Sequence, residues 1–225
     1  RVGYTIDVCR GDEAWNSSQV WYMPFDDLNA EVTSDITWWP WREWYYTINV
    51  CNFAISRCGE DNSQLSNKMK RIKGQVLFLR GLSYYNLVGY YQNPPLITDY
   101  ATYSSLDGLY TTNSTYDNVL DQVEKDFHEA MELLPSRDEG GEWAGGRATC
   151  GAAAGYYARA LMMRQKYSDA LTVLKDIIGK KYGTYRLMSN YGDNFREGSA
   201  YENNAESLFE VQYLDYGAQG TDDEW

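Results

Sequence analysis

The residues best suited to chemistry lie between Gly11 and Arg42. Trp15, Trp38 and Trp39 stand there among Asp12, Glu13, Asn16 and Arg42. Tyr and Trp combine an apolar body with a polar tip, which suits half-wet surfaces. A sugar ring offers flat C–H faces that stack on electron-rich aromatic rings. Its hydroxyls pair with carboxylates, amides and guanidinium groups. Trp38, Trp39, Arg42, Asp12, Glu13, Trp15 and Asn16 are therefore the candidate contacts for such a ligand. Trp41 is a core residue in this reading, and the bland alternative for Asp12 is a turn or helix cap.

Bond-breaking chemistry is poorly supported. Glycoside hydrolysis needs two carboxylates about 5–10 Å apart across a bond. Asp26-Asp27 and the pair Asp121 and Glu124 are available, but the second reads as a solvated helix face. No GxSxG, HExxH or phosphate-cradling Gly-rich motif occurs. His128 is the only histidine and flanks an apolar stripe. Neither a catalytic role nor a structural zinc site is expected, and no cofactor is implied. Cys51 and Cys58 fall on one helix, about 10 Å apart by helical rise, too far for a disulfide. The four cysteines, Cys9, Cys51, Cys58 and Cys150, read as buried thiols. Asn16-Ser-Ser and Asn113-Ser-Thr match the glycosylation sequon.

The chain has 225 residues, enough for one medium domain with a real core. Twenty Lys and Arg against 32 Asp and Glu give a net charge of −12, so a nucleic-acid partner is not expected. No apolar run approaches the ~20 residues of a membrane helix, and no signal peptide opens the sequence. It reads as a mature or partial chain. Aromatic residues make up 16% of it, yet the mean hydropathy is −0.58.

Residues 1–40 read as an irregular aromatic loop region, and Pro40 as the first turn of a helix. Trp41, Trp44, Tyr45, Ile48, Cys51 and Ile55 then keep helical spacing up to Gly59. A second helix over 66–91 begins amphipathic and becomes apolar nearly all round, the mark of a buried central helix. Pro94 and Pro95 stop it, and 96–114 reads as loop. The stripe Val119, Leu120, Val123, Phe127, Ala130, Met131 and Leu134 predicts a helix over 115–134. A glycine-rich loop follows over 136–147. A helix rich in small residues spans 148–164, and another runs over 168–180. Phe209, Val211 and Tyr213 alternate with Glu210 and Gln212, a strand signal. The helices pair into hairpins. The fold class expected is mainly α, with tetratricopeptide-like helical-hairpin repeats over 41–180, long irregular loops and a few short strands, 181–225 being loop and strand.

The order of segments resembles the SusD/RagB family. Trp41 through Tyr45 and Ile48 to Asn52 is similar to W-x-x-x-Y-x-x-I-x-x-x-N. The stretch Gln75 to Tyr91, with Arg80 and Tyr84, then Pro95-Leu-Ile, is similar to A-x-x-L-R-A-x-x-Y-x-x-L-x-x-x-Y-G-x-x-P-L. Tyr116-Asp117 through Asp126, Ala130 and Leu133-Leu-Pro135 resembles Y-x-x-I-x-x-D-L-x-x-A-x-x-L-P. Arg147-Ala-Thr through Arg159 and Leu161 resembles R-x-T-x-x-A-A-x-A-L-x-A-R-x-x-L. Tyr185-Arg-Leu187, Tyr191, Phe195 and Glu206 to Val211 complete the pattern. Gln92-Asn93 replaces the family's Gly-Asp, and Gly81 its Ala; both touch packing or a turn.

The resemblance implies one SusD-like domain, of which this is the amino-terminal portion, with the carboxy-terminal half absent. It implies an outer-membrane lipoprotein on the extracellular face, held by a lipid anchor that Cys9 does not supply. It further implies non-catalytic capture of oligosaccharides and delivery to a SusC-like TonB-dependent transporter. Ligand residues would come partly from the region before the first helix. Two alternatives stand beside it: peptide capture, as in the RagB branch, and a helical-repeat scaffold whose only ligand is another protein.

Overall fold

The structure, a computed structural model, describes residues 8–11, 22–29, 31, 35–143, 145–196, 198 and 200–212. Among them are six α-helices: α1 (Met23–Asp26), α2 (Asp35–Cys58), α3 (Asn67–Tyr91), α4 (Tyr116–Leu133), α5 (Cys150–Met163) and α6 (Tyr167–Ile178). The chain is mainly helical, as the apolar periodicity predicts. From α3 onward each helix begins and ends within two residues of its expected bounds. Two compact units divide the chain, the first of residues 1–69 and 76–126, the second of 70–75 and 127–225.

In the first unit, α2 starts at Asp35 rather than at Pro40. Proline has no N–H, so the Ile36 carbonyl loses its helical partner. The Tyr91 hydroxyl donates to the Thr37 carbonyl, and the Trp41 N–H donates to that hydroxyl. An α3 phenol thus bonds the turn of α2 in which Pro40 sits. The ends of α3 are set locally: Ser66 caps its start by accepting from the Met69 N–H. At its far end Gln92 takes a positive φ of 61° and bonds back to Val88.

The motif residues of α2, α3 and α4 converge on the segment after Pro94. The Tyr84 hydroxyl accepts from the Ile97 N–H and donates to the Ile97 carbonyl, both at 2.8 Å. The Asn52 amide donates to the same carbonyl at 2.8 Å, and Tyr45 donates to Pro95. Side chains thus satisfy a buried backbone that has no partner strand. Behind them Arg80 grips Asp126 with two bonds, 2.8 and 2.7 Å. Arg80 also donates to Asn52 Oδ1 at 2.9 Å. Ile48, Leu77, Phe78, Leu87, Val119, Leu120 and Val123 are buried.

The second unit is built round the α5–α6 hairpin. Thr149 caps α5 by accepting from the Ala152 N–H. Ala154, Ala158 and Leu161 of α5 meet Ala170, Val173 and Ile177 of α6 in one core, with Met131, Tyr157, Tyr182 and Tyr185 packed against it. A β-carbon on Gly151 would lie 2.2 Å from the Tyr185 hydroxyl, so that ring sits where only glycine fits. The outer face of α6, Tyr167, Leu171, Leu174 and Ile178, is exposed.

No strand forms among the described residues. Phe209 to Val211 run as irregular chain, and Tyr213 lies outside the described residues. The alternation there serves a side-chain lattice: Glu210 accepts from the Asn203 N–H at 2.9 Å, and Gln212 pairs with the Asn203 amide. No helix among the described residues is long and apolar enough to cross a membrane. All four cysteines are buried, and none is in a disulfide.

Candidate functional site

The first turns of α2 carry indole rings in two directions. Trp41 packs on Tyr45 and on Tyr91, each with ring centroids 4.9 Å apart. Trp44 lies 5.3 Å from Tyr90. These contacts, with the Tyr91 bridge to Thr37, fasten the start of α2 to the end of α3. Trp41 is half-buried in this knot, the packing role expected of it. Trp38 and Trp39 precede it by three and two residues and point elsewhere, 50% and 38% exposed.

Arg42, one turn after Trp38, places its guanidinium 4.9 Å from the Trp38 ring centre. Its Nε donates to the Glu43 carboxylate at 2.9 Å. Trp38, Arg42 and Glu43 therefore form one cluster: an aromatic face with a donor and an acceptor at its edge. Trp39 stands on the adjoining face of the helix. Of the seven residues proposed from sequence, the structure brings together Trp38 and Arg42, with Trp39 beside them. Asp12, Glu13, Trp15 and Asn16 lie outside the described residues. Sequence reasoning missed Glu43, whose place beside Arg42 was readable only after Arg42 was set on a helix.

The phenols behind this surface are structural. Burial raises the Tyr45 pKa, and nearby Tyr84 and Tyr103 raise it further. Burial raises Tyr91 too, while its bond from Trp41 acts against the shift. Neutral phenols keep their protons for backbone carbonyls.

The second unit holds a cleft lined by Arg137, Trp143, Arg147, Tyr185, Asn203 and Glu210, among others. Its cavity is about 20 Å³, room for a water rather than a sugar ring. Its polar groups are also committed. Arg137 donates to the carbonyls of Asn203, Asn204 and Ser207, and Arg147 pairs with Glu142 at 2.9 Å. No cluster of metal-ligating side chains occurs among the described residues. His128 is exposed, 3.8 Å from Glu132 and edge-on to Tyr157.

Comparison with known proteins gives a consistent result. A SusD-like family model, described as starch-binding associating with the outer membrane, matches residues 4–162. SusD-like protein P25 of Formosa agariphila is 24% identical over 177 residues, covering 77% of this chain and 31% of the relative. A solved SusD superfamily protein from Bacteroides vulgatus superposes with a TM-score of 0.79 at 22% identity, covering 92% of this chain and 43% of that one. Surface glycan-binding protein A from Bacteroides fluxus superposes with a TM-score of 0.77 at 20% identity, covering 95% and 45%. The chain thus spans less than half the length of these relatives.

Proposed function

Because the chain belongs to the SusD-like family, we propose that it is a non-catalytic nutrient-binding protein that captures oligosaccharides. The observation that carries this reading is the outward pair Trp38 and Trp39, with Arg42 and Glu43 at the rim. Indole faces stack on sugar C–H faces, and the guanidinium and carboxylate meet the hydroxyls. Nothing in that cluster is arranged to activate water or to protonate a leaving group. The superposition on a protein named for surface glycan binding supports the same ligand class. The family description, starch-binding at the outer membrane, supports a place there. In this reading the protein is lipid-anchored on the extracellular face and hands its ligand to a SusC-like TonB-dependent transporter.

The test is a binding screen of the full-length protein against plant, host and microbial glycans and mixed peptides, beside a Trp38→Ala/Trp39→Ala variant. Glycan binding that drops at least tenfold in the variant is the expected result. Peptide binding alone, or glycan binding indifferent to both substitutions, would overturn the assignment of this surface.

A further inference from the structure

Tyr45, Asn49 and Phe53 follow one another at steps of four residues on α2, which keeps them on one helix face. The helix packs there against the 3₁₀ turn Tyr100–Ser104. At one end Phe53 lies against Tyr100, with ring centroids 5.0 Å apart. At the other, Tyr103 is close enough to Tyr45 and Tyr84 to push both phenols' pKa values upward. Residues three apart on a 3₁₀ turn share a side, so Tyr100 and Tyr103 bracket what lies between them. Asn49 stands one helical turn from Tyr45 and one from Phe53, and so falls in that interval.

The neighbouring polar side chains are paired. Tyr45 donates to Pro95, Asn52 and Tyr84 donate to Ile97, and Arg80 donates to Asn52. Two atoms break the pattern. Asn49 Oδ1 and the Tyr103 hydroxyl are shut off from solvent, and neither has a hydrogen-bond partner among the described residues. The two are complementary. Burial pushes the Tyr103 phenol up to about 12, so it keeps its proton and can donate, while an amide oxygen only accepts. A direct bond would satisfy both, and none joins them. Buried polar atoms are costly when left unpaired. Whatever lies between these two must therefore accept from a phenol and donate to an amide oxygen. A cation offers no acceptor, and a simple anion offers no donor. Water does both, and it is small enough for a place closed to bulk solvent.

We propose that one internal water bridges Tyr103 and Asn49, accepting from the phenol and donating to the amide oxygen, and so ties the Tyr100–Ser104 turn to α2. The turn then rests on two contacts with that helix face: the Phe53–Tyr100 ring pair and the hydrated seam one helical turn earlier. The experiment is a high-resolution crystal structure of the full-length protein and of its Tyr103→Phe variant, with urea unfolding of both. An ordered water should lie within about 2.5–3.0 Å of both oxygens. It should be missing from the variant, whose ring keeps its place. Tyr103→Phe should also lower the unfolding midpoint, because the Asn49 oxygen loses its bridge. A direct bond between the Tyr103 hydroxyl and Asn49, or no water within reach of both atoms, would overturn the proposal. So would a water retained at equal occupancy in the variant, since other groups would then hold it. A variant as stable as the parent, or more stable, would overturn it too: removing an unbridged hydroxyl from a dry seam relieves a penalty.

Discussion

Arg80 and Asp126 form a buried, two-bond ion pair, 2.8 and 2.7 Å, with Arg80 5% exposed and Asp126 fully buried. Burial alone would lower the Arg80 pKa, but the Asp126 bonds and charge outweigh it and the net shift is upward. Both partners stay ionised and locked. Removing one leaves a charge with no solvent and no counterion. Asp126→Leu should cost about 3–5 kcal/mol of stability, read by urea denaturation. The Arg80→Met/Asp126→Leu double variant should recover part of that loss. A double variant as unstable as the sum of the singles would show that the pair is not coupled.

Tyr91→Phe removes the hydroxyl that bridges the Thr37 carbonyl and the Trp41 N–H. The cost should be about 1–2 kcal/mol, localised at the start of α2. Hydrogen exchange at the Trp41 amide should accelerate while that in the middle of α3 does not. Uniform acceleration along both helices would refute a local role.

Gly151→Ala would place a methyl group 2.2 Å from the Tyr185 hydroxyl and 2.7 Å from its ring. Alanine gains helix propensity of about 1 kcal/mol over glycine, so an open site would be stabilised. Here overpacking of about 1–3 kcal/mol should win, and thermal melting should fall. A higher melting temperature would mean that the Tyr185 ring yields freely.

Cys51 is pushed up to about 12, first by burial and against the pull of nearby Arg80. Native protein at pH 8 should resist alkylation at Cys51, and mass spectrometry after urea treatment should find it labelled. The linkage has a definite sign. The raised folded pKa contributes stability that is complete below the unfolded value of 9.0 and fades as pH rises toward 12. Rapid labelling of Cys51 in the native state would contradict its burial.

Glu206 accepts from the Met188 N–H at 2.9 Å and from the Asn194 amide at 3.0 Å, and these bonds lower its pKa. The stabilisation is present above the ordinary value of 4.5 and lost as pH falls through the lower folded value. Limited proteolysis between 188 and 206 should therefore quicken as pH falls below 4.5, before α5 and α6 lose helicity. Glu206→Gln should quicken it at neutral pH as well.

The helices were readable because apolar spacing and local stop signals, such as Pro94 and Pro95, act within a few residues. The motifs were readable too, and the structure shows their work: Tyr45, Asn52, Arg80, Tyr84 and Asp126 hold the chain around Ile97. They mark the scaffold. The start of α2 was misread because proline was taken as a first-turn signal, while in the structure Pro40 sits inside a helix that begins at Asp35. The strand at Phe209 was misread because alternation states a preference, while a ladder needs a neighbour.

The aliphatic face of α6 also governs how concentrated solutions behave. Like-charged copies stand apart at low ionic strength because each carries −12. Salt shortens that repulsion to about 8–10 Å and leaves Tyr167, Leu171, Leu174 and Ile178 free to meet their counterparts on another molecule. Turbidity and particle size should then rise with ionic strength even where the melting temperature is unchanged, and light scattering across a salt series checks it.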